Sequence, residues 1–301
     1  MFLFKKPQKI LKVGDIQVGG QPGELPTVLI GSIFHVGHKI VKDRTLGIFD
    51  KKKAEHLIKV QEEMSEKTGV PCMLDIVGEN SKVLTKYIDF ITNITDVPFL
   101  INGPNSSVRC AATQYSIEIG LKEKTIYNSM NYTLGIEEIA AIKSTGIETA
   151  IVQAFNPKNP RPQGMISILE ELMNGIKKAG IIKSLFFTPV LDVPSIGYGA
   201  YGIRLVKEKF GMPTGTAPIG VIGRWNRVKT LGPYDKKISR AAAATLTQSM
   251  GVDFLIYGSL AKAEDIFPVC SMNDAIIAYN MMNFGIKPIT KNHPLYKVFK
   301  S

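Results

Sequence analysis

The feature that most constrains the fold of this chain is an alternation of short apolar segments with amphipathic ones, repeated along nearly its whole length. The apolar segments have the length of buried β-strands, and the amphipathic segments carry apolar residues every three or four positions, as helices do. Eight strands are predicted: TVLIGSIF from Thr27, CMLDIVG from Cys72, PFLING from Pro98, TIYNSMN from Thr125, TAIVQAF from Thr149, SLFFTPVLD from Ser184, TGTAPIGVI from Thr214 and FLIYGSL from Phe254. Eight β-then-α units favour the α/β class, as a single closed (β/α)8 or TIM barrel.

Two of the helix patterns are clear enough to predict which residues face inward. In residues 52–69 the inward residues are predicted to be Ala54, Leu57, Val60 and Met64. In residues 163–180 they are predicted to be Leu169, Leu172, Met173 and Ile176. Both patterns end on a glycine, where helices commonly stop. An open doubly wound sheet is the alternative fold, but no GxGxxG motif follows the first strand.

Segments at both ends of the chain lie outside this repeat. KILKVGDIQVGG, residues 9–20, predicts a β-hairpin with Gly14-Asp15 as its turn, and such a hairpin commonly covers the amino end of a barrel. Residues 286–301 contain two prolines and scattered lysines, which favours an extended strap. We therefore expect one domain over residues 1–301, with residues 1–26 as a hairpin lid and residues 286–301 as a strap.

Composition and charge restrict the class of protein. The chain is 45% hydrophobic with a formal charge of +11, which suits a globular protein with anionic partners. It has no run of about 18 apolar residues and no secretory signal pattern, so we expect a cytoplasmic protein without a membrane span. Its three cysteines are far apart, which favours reduced thiols. No nucleic-acid-binding motif is present, so a nucleic-acid surface is not expected.

Polar residues recur where the predicted strands end. Asp75 interrupts the apolar segment MLDIVG, although aspartate is disfavoured in strands and rarely buried without a partner. The later strand ends carry Asn102, Asn128, Asn131, Gln153, Asn156 and Asp192. The active site of a TIM barrel lies where the strands end and the following loops begin, so these side chains are predicted to face one pocket.

The chemistry of this polar set favours a flat heterocyclic ligand. No lysine ends strand six, which argues against a Schiff-base aldolase, and His35 and His38 form a lone H-x-x-H without the further ligands of a metal hydrolase. A carboxylate pairs with a ring N–H and an exocyclic amine, while amides pair with carbonyl and ring nitrogens, and a pterin presents such groups. Each residue alone has a structural alternative as a turn residue, a helix cap or a backbone contact.

Several longer segments are similar to one known family. They are GGQPGELPTVLIGSIFHVGHKIV (19–41), GIFDKKKAEHLIKVQEEMSEKTG (47–69), MLDIVG, YNSMN and TPVLDVPSIG (188–197). These segments resemble the H subunit family of tetrahydromethanopterin S-methyltransferase, over nearly the whole chain. The family includes bacterial relatives that work with tetrahydrofolate in corrinoid-dependent demethylation.

The resemblance implies a pterin-binding TIM-barrel methyltransferase of one-carbon metabolism. Such an enzyme moves a methyl group between N5 of a tetrahydropterin and the cobalt of a corrinoid (cobalamin) that a separate protein carries. Tetrahydrofolate is the expected methyl carrier, because its anionic glutamate tail suits a basic protein, and tetrahydromethanopterin is the alternative. The expected partners are the pterin, the corrinoid protein and a second copy of the chain in a homodimer.

The resemblance also implies roles for individual residues. Related enzymes hold the pterin with Asp and Asn side chains at strand ends, which correspond here to Asp75, Asn102, Asn128 and Asp192. Further substrate-binding residues are expected in three places. They are Ser129, Ser195 and Gly197 in the same segments, Gln153 at the end of strand five, and Arg224 in the loop after strand seven.

Strand seven departs from the family pattern. Related enzymes often place an asparagine near the end of this strand, close to N5, whereas this chain has Gly220 and Val221 there. The nearest amide is Asn226, which with Asp75 and Asn128 makes up the expected catalytic set. The loop GRWNRVKTLGPYDKK is rich in cations and is expected either to steer an anionic tail or an acidic corrinoid protein, or to be an ordinary solvated loop.

Two other functions fit parts of the sequence. GTAPIG and YGSLAK follow strands seven and eight, where many barrels bind phosphate, so a phosphate-binding lyase or isomerase is an alternative. It lacks a convincing general base. A non-catalytic basic component of a larger complex is the other alternative, but a scaffold would not need the polar strand ends.

Overall fold

A computed structural model of the protein describes residues 2–225 and 235–299. Its strands are β1 (Ile10–Val13), β2 (Ile16–Gly19), β3 (Val28–Ile33), β4 (Val41–Asp43), β5 (Ile48–Phe49), β6 (Cys72–Val77), β7 (Phe99–Asn102), β8 (Thr125–Met130), β9 (Thr149–Gln153), β10 (Lys183–Thr188), β11 (Thr214–Thr216) and β12 (Phe254–Ser259). Strands β3 and β6 to β12 are parallel and close into one barrel, in which β12 pairs with β3. The predicted TIM barrel with an amino-terminal hairpin is therefore confirmed.

Helices alternate with the barrel strands and surround them. They are α1 (Lys51–Thr68), α2 (Ser81–Thr92), α3 (Ser106–Glu118), α4 (Ile136–Thr145), α5 (Pro162–Lys178), α6 (Ile196–Phe210), α7 (Pro218–Arg224), α8 (Asp235–Ser249), α9 (Ala263–Met281) and α10 (Leu295–Val298). Helix α1 begins at Asp50, whose side chain accepts the Lys53 N–H, and ends at Gly69 with a φ of 75°. This φ favours glycine, so the predicted stop signal acts as a C-cap.

The seventh barrel strand is shorter than predicted. The ladder of β11 ends at Thr216, and the residues that were expected to continue the strand form helix α7 instead. Pro218 is the physical reason, because it lacks the N–H that a parallel ladder needs and its fixed φ suits the first turn of a helix. Gly220 and Val221 therefore lie in a helix, and Ala217 is the residue that directly follows the strand.

The amino-terminal hairpin packs against the amino end of the barrel. Strands β1 and β2 pair with Val13 opposite Ile16, and the Gly14 N–H donates to the Glu123 carbonyl just before β8 at 2.7 Å. Val13 and Val18 are buried together with Val28 and other barrel-lumen residues. The hairpin thus covers the floor of the barrel and leaves the carboxyl ends of the strands open.

The carboxyl-terminal segment follows the same end of the barrel. The Ile289 N–H donates to the Glu24 carbonyl at 3.1 Å, and His293 is buried where the segment passes Gly69. Residues 295–298 form the short helix α10 rather than an extended strand. This segment and the hairpin both pack at the end of the barrel where the strands begin. The polar residues lie at the opposite end, where the strands finish.

The burial of side chains on α1 and α5 tests the predicted inward faces of these helices. On α1 the buried residues are Ala54, Ile58 and Gln61. The other predicted inward residues, Leu57, Val60 and Met64, are half-buried and pack against the hydrophobic core, so the predicted face is confirmed. Gln61 can be buried in the core because its polar side chain is hydrogen-bonded there. The Tyr257 hydroxyl donates to Gln61 Oε1 at 2.5 Å. On α5, Met173 is 45% exposed, whereas the other three predicted inward residues are buried.

Candidate active site

A cavity of about 310 Å³ opens at the carboxyl ends of the barrel strands. Its lining residues are Asp75, Asn102, Gly103, Arg109, Asn128, Ser129, Ile151, Gln153, Phe187, Ala217 and Ile256. The polar side chains come mainly from one side of the barrel, β6 to β9, and the apolar ones mainly from β10 to β12 and the loop after β11. The cavity therefore offers hydrogen-bonding groups along one wall and apolar surface along the other.

Asp75 is the centre of the polar wall. It is 3% exposed, and its carboxylate accepts hydrogen bonds from Ser32 Oγ at 2.8 Å, Asn102 Nδ2 at 3.1 Å and Asn128 Nδ2 at 3.3 Å. Burial raises the pKa of Asp75 above its usual value, although these three donors favour the ionised form. A buried carboxylate that holds three donors and faces a cavity has capacity left for ligand N–H groups.

The strand register explains why these four side chains meet. Ser32 on β3 is the register partner of Asp75 on β6, and Asn102 on β7 is the register partner of Asn128 on β8. Side chains at the same level of neighbouring parallel strands lie side by side on one face of a sheet. The two amides are therefore adjacent, and both reach the carboxylate on β6.

Strand β8 contributes a second residue to the cavity through an irregularity in its ladder. The register between β8 and β9 shifts between Asn128 and Met130, and the Asn128–Ser129 peptide bond is cis. Both Asn128 and Ser129 line the cavity, although consecutive residues of a regular strand point to opposite faces. Gln153, the last residue of β9, lines the same wall.

Arg109 is a cavity residue that the sequence did not reveal. It lies on the inner face of α3, where its guanidinium donates to Glu138 Oε1 at 2.9 Å and to the Gly103 carbonyl at 3.2 Å. The Tyr127 hydroxyl donates to the same Glu138 oxygen at 2.6 Å. This buried network anchors the loop after β7, which carries Asn102 into the cavity, to helices α3 and α4 and strand β8. An arginine on a predicted helix gives no sign of this role, because most such arginines face solvent.

Asp192, Ser195 and Gly197 do not line the cavity around Asp75, which corrects the prediction of one shared pocket. Strand β10 ends at Thr188, and Asp192 follows four residues later in an exposed turn. Its Oδ1 accepts the Ser195 N–H at 2.9 Å, and Ser195 Oγ accepts the backbone N–H of Asp192 at 2.9 Å. Hydrogen bonds to the carboxylate from the Ser195 hydroxyl, the main cause, and from the Ser195 N–H lower the pKa of Asp192. Gly197 is exposed in the first turn of α6.

Arg224 lies in a second groove rather than in the cavity. This groove, of about 380 Å³, is formed by Leu191, Asp192, Val193, Pro194, Val221, Arg224 and Trp225. Its walls come from the loop after β10 and from helix α7 and the residue that follows it. Arg224 and Asp192 are thus brought together, but outside the cavity that holds Asp75.

Other amides predicted at strand ends have local structural roles. Asn156 donates to Ser167 Oγ at 3.1 Å and accepts the Lys158 N–H, so it organises the loop before α5. Asn131 accepts the Thr133 N–H in the turn after β8. Asn226, the expected partner of N5, lies outside the described residues. The cavity residue next to the end of strand seven is Ala217.

The two histidines after β3 pack against one another. Their ring centroids are 4.7 Å apart, and His38 Nδ1 accepts the Phe34 N–H at 3.3 Å. Burial lowers the pKa of His38 to about 4, and His35 contributes to the same effect. Within residues 2–225 and 235–299, no three His, Cys, Asp or Glu side chains are grouped as ligands for a metal ion.

Comparison with solved structures places this architecture in a known class. The chain superposes on dihydropteroate synthase from Yersinia pestis with a TM-score of 0.57 over 89% of this chain and 98% of that chain, at 13% sequence identity. The likeness establishes a shared fold. The chain is a TIM barrel with a polar cavity at the carboxyl ends of its strands.

Sequence comparison then defines the family. Residues 6–289 match the family described as tetrahydromethanopterin S-methyltransferase MtrH subunit. The chain is 36% identical over 311 residues to the corresponding tetrahydromethanopterin S-methyltransferase component of Methanopyrus kandleri, covering 96% of this chain and 97% of the relative. It is 38% identical over 311 residues to the corresponding component of the putative methyltransferase mtx of Methanosarcina mazei, covering 98% and 99% respectively. The chain belongs to the MtrH family of methyltransferase subunits, which confirms the resemblance seen in the sequence.

Proposed function

We propose that this protein is the pterin-binding component of a methyltransferase that moves a methyl group between N5 of tetrahydromethanopterin and a corrinoid carried by a partner protein. The observation that carries the proposal is the buried Asp75 carboxylate, held by three donors in the barrel cavity of a chain from the MtrH family. The alternative of a phosphate-binding lyase or isomerase lacks this family support.

The cavity suits the head of a reduced pterin. One edge of the pterin carries a ring N–H beside an exocyclic amine, and the Asp75 carboxylate can accept both. Asn102, Asn128 and Ser129 supply further donors and acceptors for the ring nitrogens and the carbonyl group. Phe187 and Ile256 offer apolar surface for the ring faces. This pairing of a polar edge with apolar faces is the usual form of a site for a flat heterocycle.

The work of the chain itself is to bind and orient the methyl carrier. A corrinoid, when its partner protein presents it, supplies a cobalt centre that accepts or delivers the methyl group. The anchored pterin edge fixes the direction in which N5 faces the barrel mouth, and such positioning contributes much of the rate of a bimolecular transfer. Removal of a methyl group from N5 also needs a proton or a hydrogen bond at that nitrogen, and Asn226 is the residue that we propose for this role.

The choice of methyl carrier follows the relatives. Tetrahydrofolate was the first expectation from the sequence, on the ground of its anionic tail, but the family description and the relative from Methanopyrus kandleri both name tetrahydromethanopterin. These names support tetrahydromethanopterin as the carrier. The relatives are also named as subunits, which supports action within an assembly that includes the corrinoid protein.

The location of the protein in the cell and its oligomeric state stay predictions. Among the described residues, none of the helices combines the length and the apolar character needed to span a bilayer. A cytoplasmic location and a homodimer are both expected from the sequence, and size-exclusion chromatography with light scattering would test the dimer.

An anaerobic binding and transfer experiment tests the proposal. The purified protein is titrated with tetrahydromethanopterin and with tetrahydrofolate, and methylcobalamin is then added while its absorbance is followed. We expect tighter binding of tetrahydromethanopterin, loss of methylcobalamin with this pterin, and at least about tenfold weaker binding by Asp75→Ala. Asp96→Ala, which removes an exposed carboxylate before β7 at the opposite end of the barrel, is the matched control. Absence of binding to either pterin would refute the proposal.

A further inference from the structure

Two cations near the carboxyl end of the barrel have no acidic partner among the described residues. Lys262 ends a short 3₁₀ helix, Leu260–Lys262, that directly follows β12, and the one hydrogen bond of its Nζ to a described residue goes to the Tyr257 carbonyl at 3.4 Å. Arg240 lies in the second turn of α8, and its buried Nε has no hydrogen-bond partner within the described part of the chain. Both side chains are half-buried.

Other cations of the protein have acidic partners. Lys237, one turn before Arg240, forms an ion pair with Asp265 at 2.7 Å, and the buried Lys207, at the amino end of the barrel, pairs with Asp253 at 2.5 Å. Burial together with the charge of Arg240 lowers the pKa of Lys262 to about 8. Within residues 2–225 and 235–299 these two cations have no ion pair, and burying like charges without a counter-charge opposes folding, so the pair points to an anion that completes the group.

The backbone at the end of β12 makes room for the Lys262 ammonium. Gly258 has a φ of 81°, and a Cβ added there would lie 2.9 Å from Lys262 Nζ. Ile256, two residues earlier on the same strand, lines the cavity that holds Asp75. The pair of cations therefore lies at the same end of the barrel as the cavity, beyond strands seven and eight, where barrels commonly bind phosphate groups.

We propose that Lys262 and Arg240 form an anion site that binds the carboxylate or phosphate groups in the tail of the pterin whose head occupies the Asp75 cavity. The inference rests on the proposed function and adds to it the residues that recognise the tail. A tetrahydropterin methyl carrier has an uncharged bicyclic head and a long tail with anionic groups. Asp75 and the amides account for the head, and paired cations at the mouth of the barrel provide charge-assisted hydrogen bonds for the tail.

Two ligands separate the head from the tail. Anaerobic calorimetry compares tetrahydromethanopterin with 6-methyltetrahydropterin, which has the head alone, for the wild type and for Lys262→Met and Arg240→Met. We expect each variant to bind tetrahydromethanopterin about tenfold or more weakly and to bind 6-methyltetrahydropterin as the wild type does. Lys237→Met is the control, because it removes one positive charge from the same helix but leaves the pair intact.

Each outcome has a distinct meaning. Unchanged binding of tetrahydromethanopterin by both variants, or equal weakening of both ligands, would overturn the tail site while leaving the Asp75 cavity as the head site. Failure of the wild type to bind either ligand would instead refute the proposed function. Thermal unfolding guards against a misfolded variant, and we expect Lys262→Met to unfold at the wild-type temperature or above it, because it removes a half-buried unpaired charge.

Discussion

Ser32 and Asp75 are register partners on neighbouring barrel strands, and the Ser32 hydroxyl donates a 2.8 Å hydrogen bond to Asp75 Oδ2. Both residues are buried, and each interrupts a strand that is otherwise apolar. Asn102 and Asn128 approach the other carboxylate oxygen, Oδ1, at 3.1 and 3.3 Å. The serine thus holds one side of the carboxylate while the amides hold the other, and this arrangement fixes its orientation toward the cavity.

Replacement of Ser32 by alanine should weaken pterin binding. The hydroxyl stabilises the ionised carboxylate, so its loss raises the pKa of Asp75 further and frees the side chain to rotate. We expect a loss of affinity of about threefold to about thirtyfold at neutral pH, measured by anaerobic calorimetry.

Ser184→Ala provides the matched control for this experiment. Ser184 lies on barrel strand β10 and is 7% exposed, as is Ser32, but the described side chains that donate to Asp75 are Ser32, Asn102 and Asn128, and Ser184 is not among them. Wild-type affinity in Ser32→Ala, or an equal loss in the two variants, would show that the hydroxyl does not act through Asp75.

Pterin binding should release a proton from Asp75. Burial raises the pKa of this carboxyl in the free protein, so below that pKa a fraction of the molecules carry a neutral carboxyl that must ionise to accept two ligand N–H groups. The affinity should therefore fall as the pH falls through the raised pKa. Calorimetry in two buffers of different ionisation enthalpy measures the released proton directly, and Asp75→Asn should abolish the release that belongs to this group. Identical proton release in wild type and variant would assign the effect to the pterin.

The barrel and the centre of the site could be predicted from the sequence because both follow from local patterns. A lone carboxylate in MLDIVG marks Asp75, whereas Ser32 in VLIGSI is a weaker signal of the same kind, because a hydroxyl is less costly to bury than a charge. Asp192 was misplaced because the length of a strand cannot be judged from apolar residues alone. SLFFT forms the strand, and the residues after it form a proline-flanked turn. The role of Arg109 depends on Glu138 and Tyr127, which are distant in sequence and meet only in the folded barrel.

Removal of one partner of the buried Arg109–Glu138 pair should destabilise the protein strongly. Both side chains are buried, and Arg109→Met would leave the Glu138 carboxylate without its cationic partner. Breaking a buried pair from one side costs about 3 to 5 kcal/mol, so we expect a loss of about this size in the free energy of urea unfolding. The double variant Arg109→Met, Glu138→Gln should lose less than the sum of the single losses, because no uncompensated charge remains. Strict additivity would mean that the two charges do not interact.

The buried His293 should make the protein sensitive to mild acid. Burial lowers the pKa of His293 from 6.5 to about 4, and its Nδ1 accepts the Leu295 N–H at 3.0 Å, a bond that protonation at this nitrogen would break. Because the folded protein resists a proton that the unfolded chain accepts, the stabilisation is full above about pH 6.5 and is lost as the pH falls toward about 4. The difference corresponds to about 3 kcal/mol.

The variant His293→Asn tests this, because asparagine keeps an acceptor for the Leu295 N–H but does not titrate. Between pH 7 and pH 4 the free energy of unfolding should fall by about 3 kcal/mol less in His293→Asn than in the wild type. His56→Asn, at an exposed position on α1, is the control and should retain the wild-type acid dependence, whereas the same dependence in His293→Asn would exclude His293 as its source.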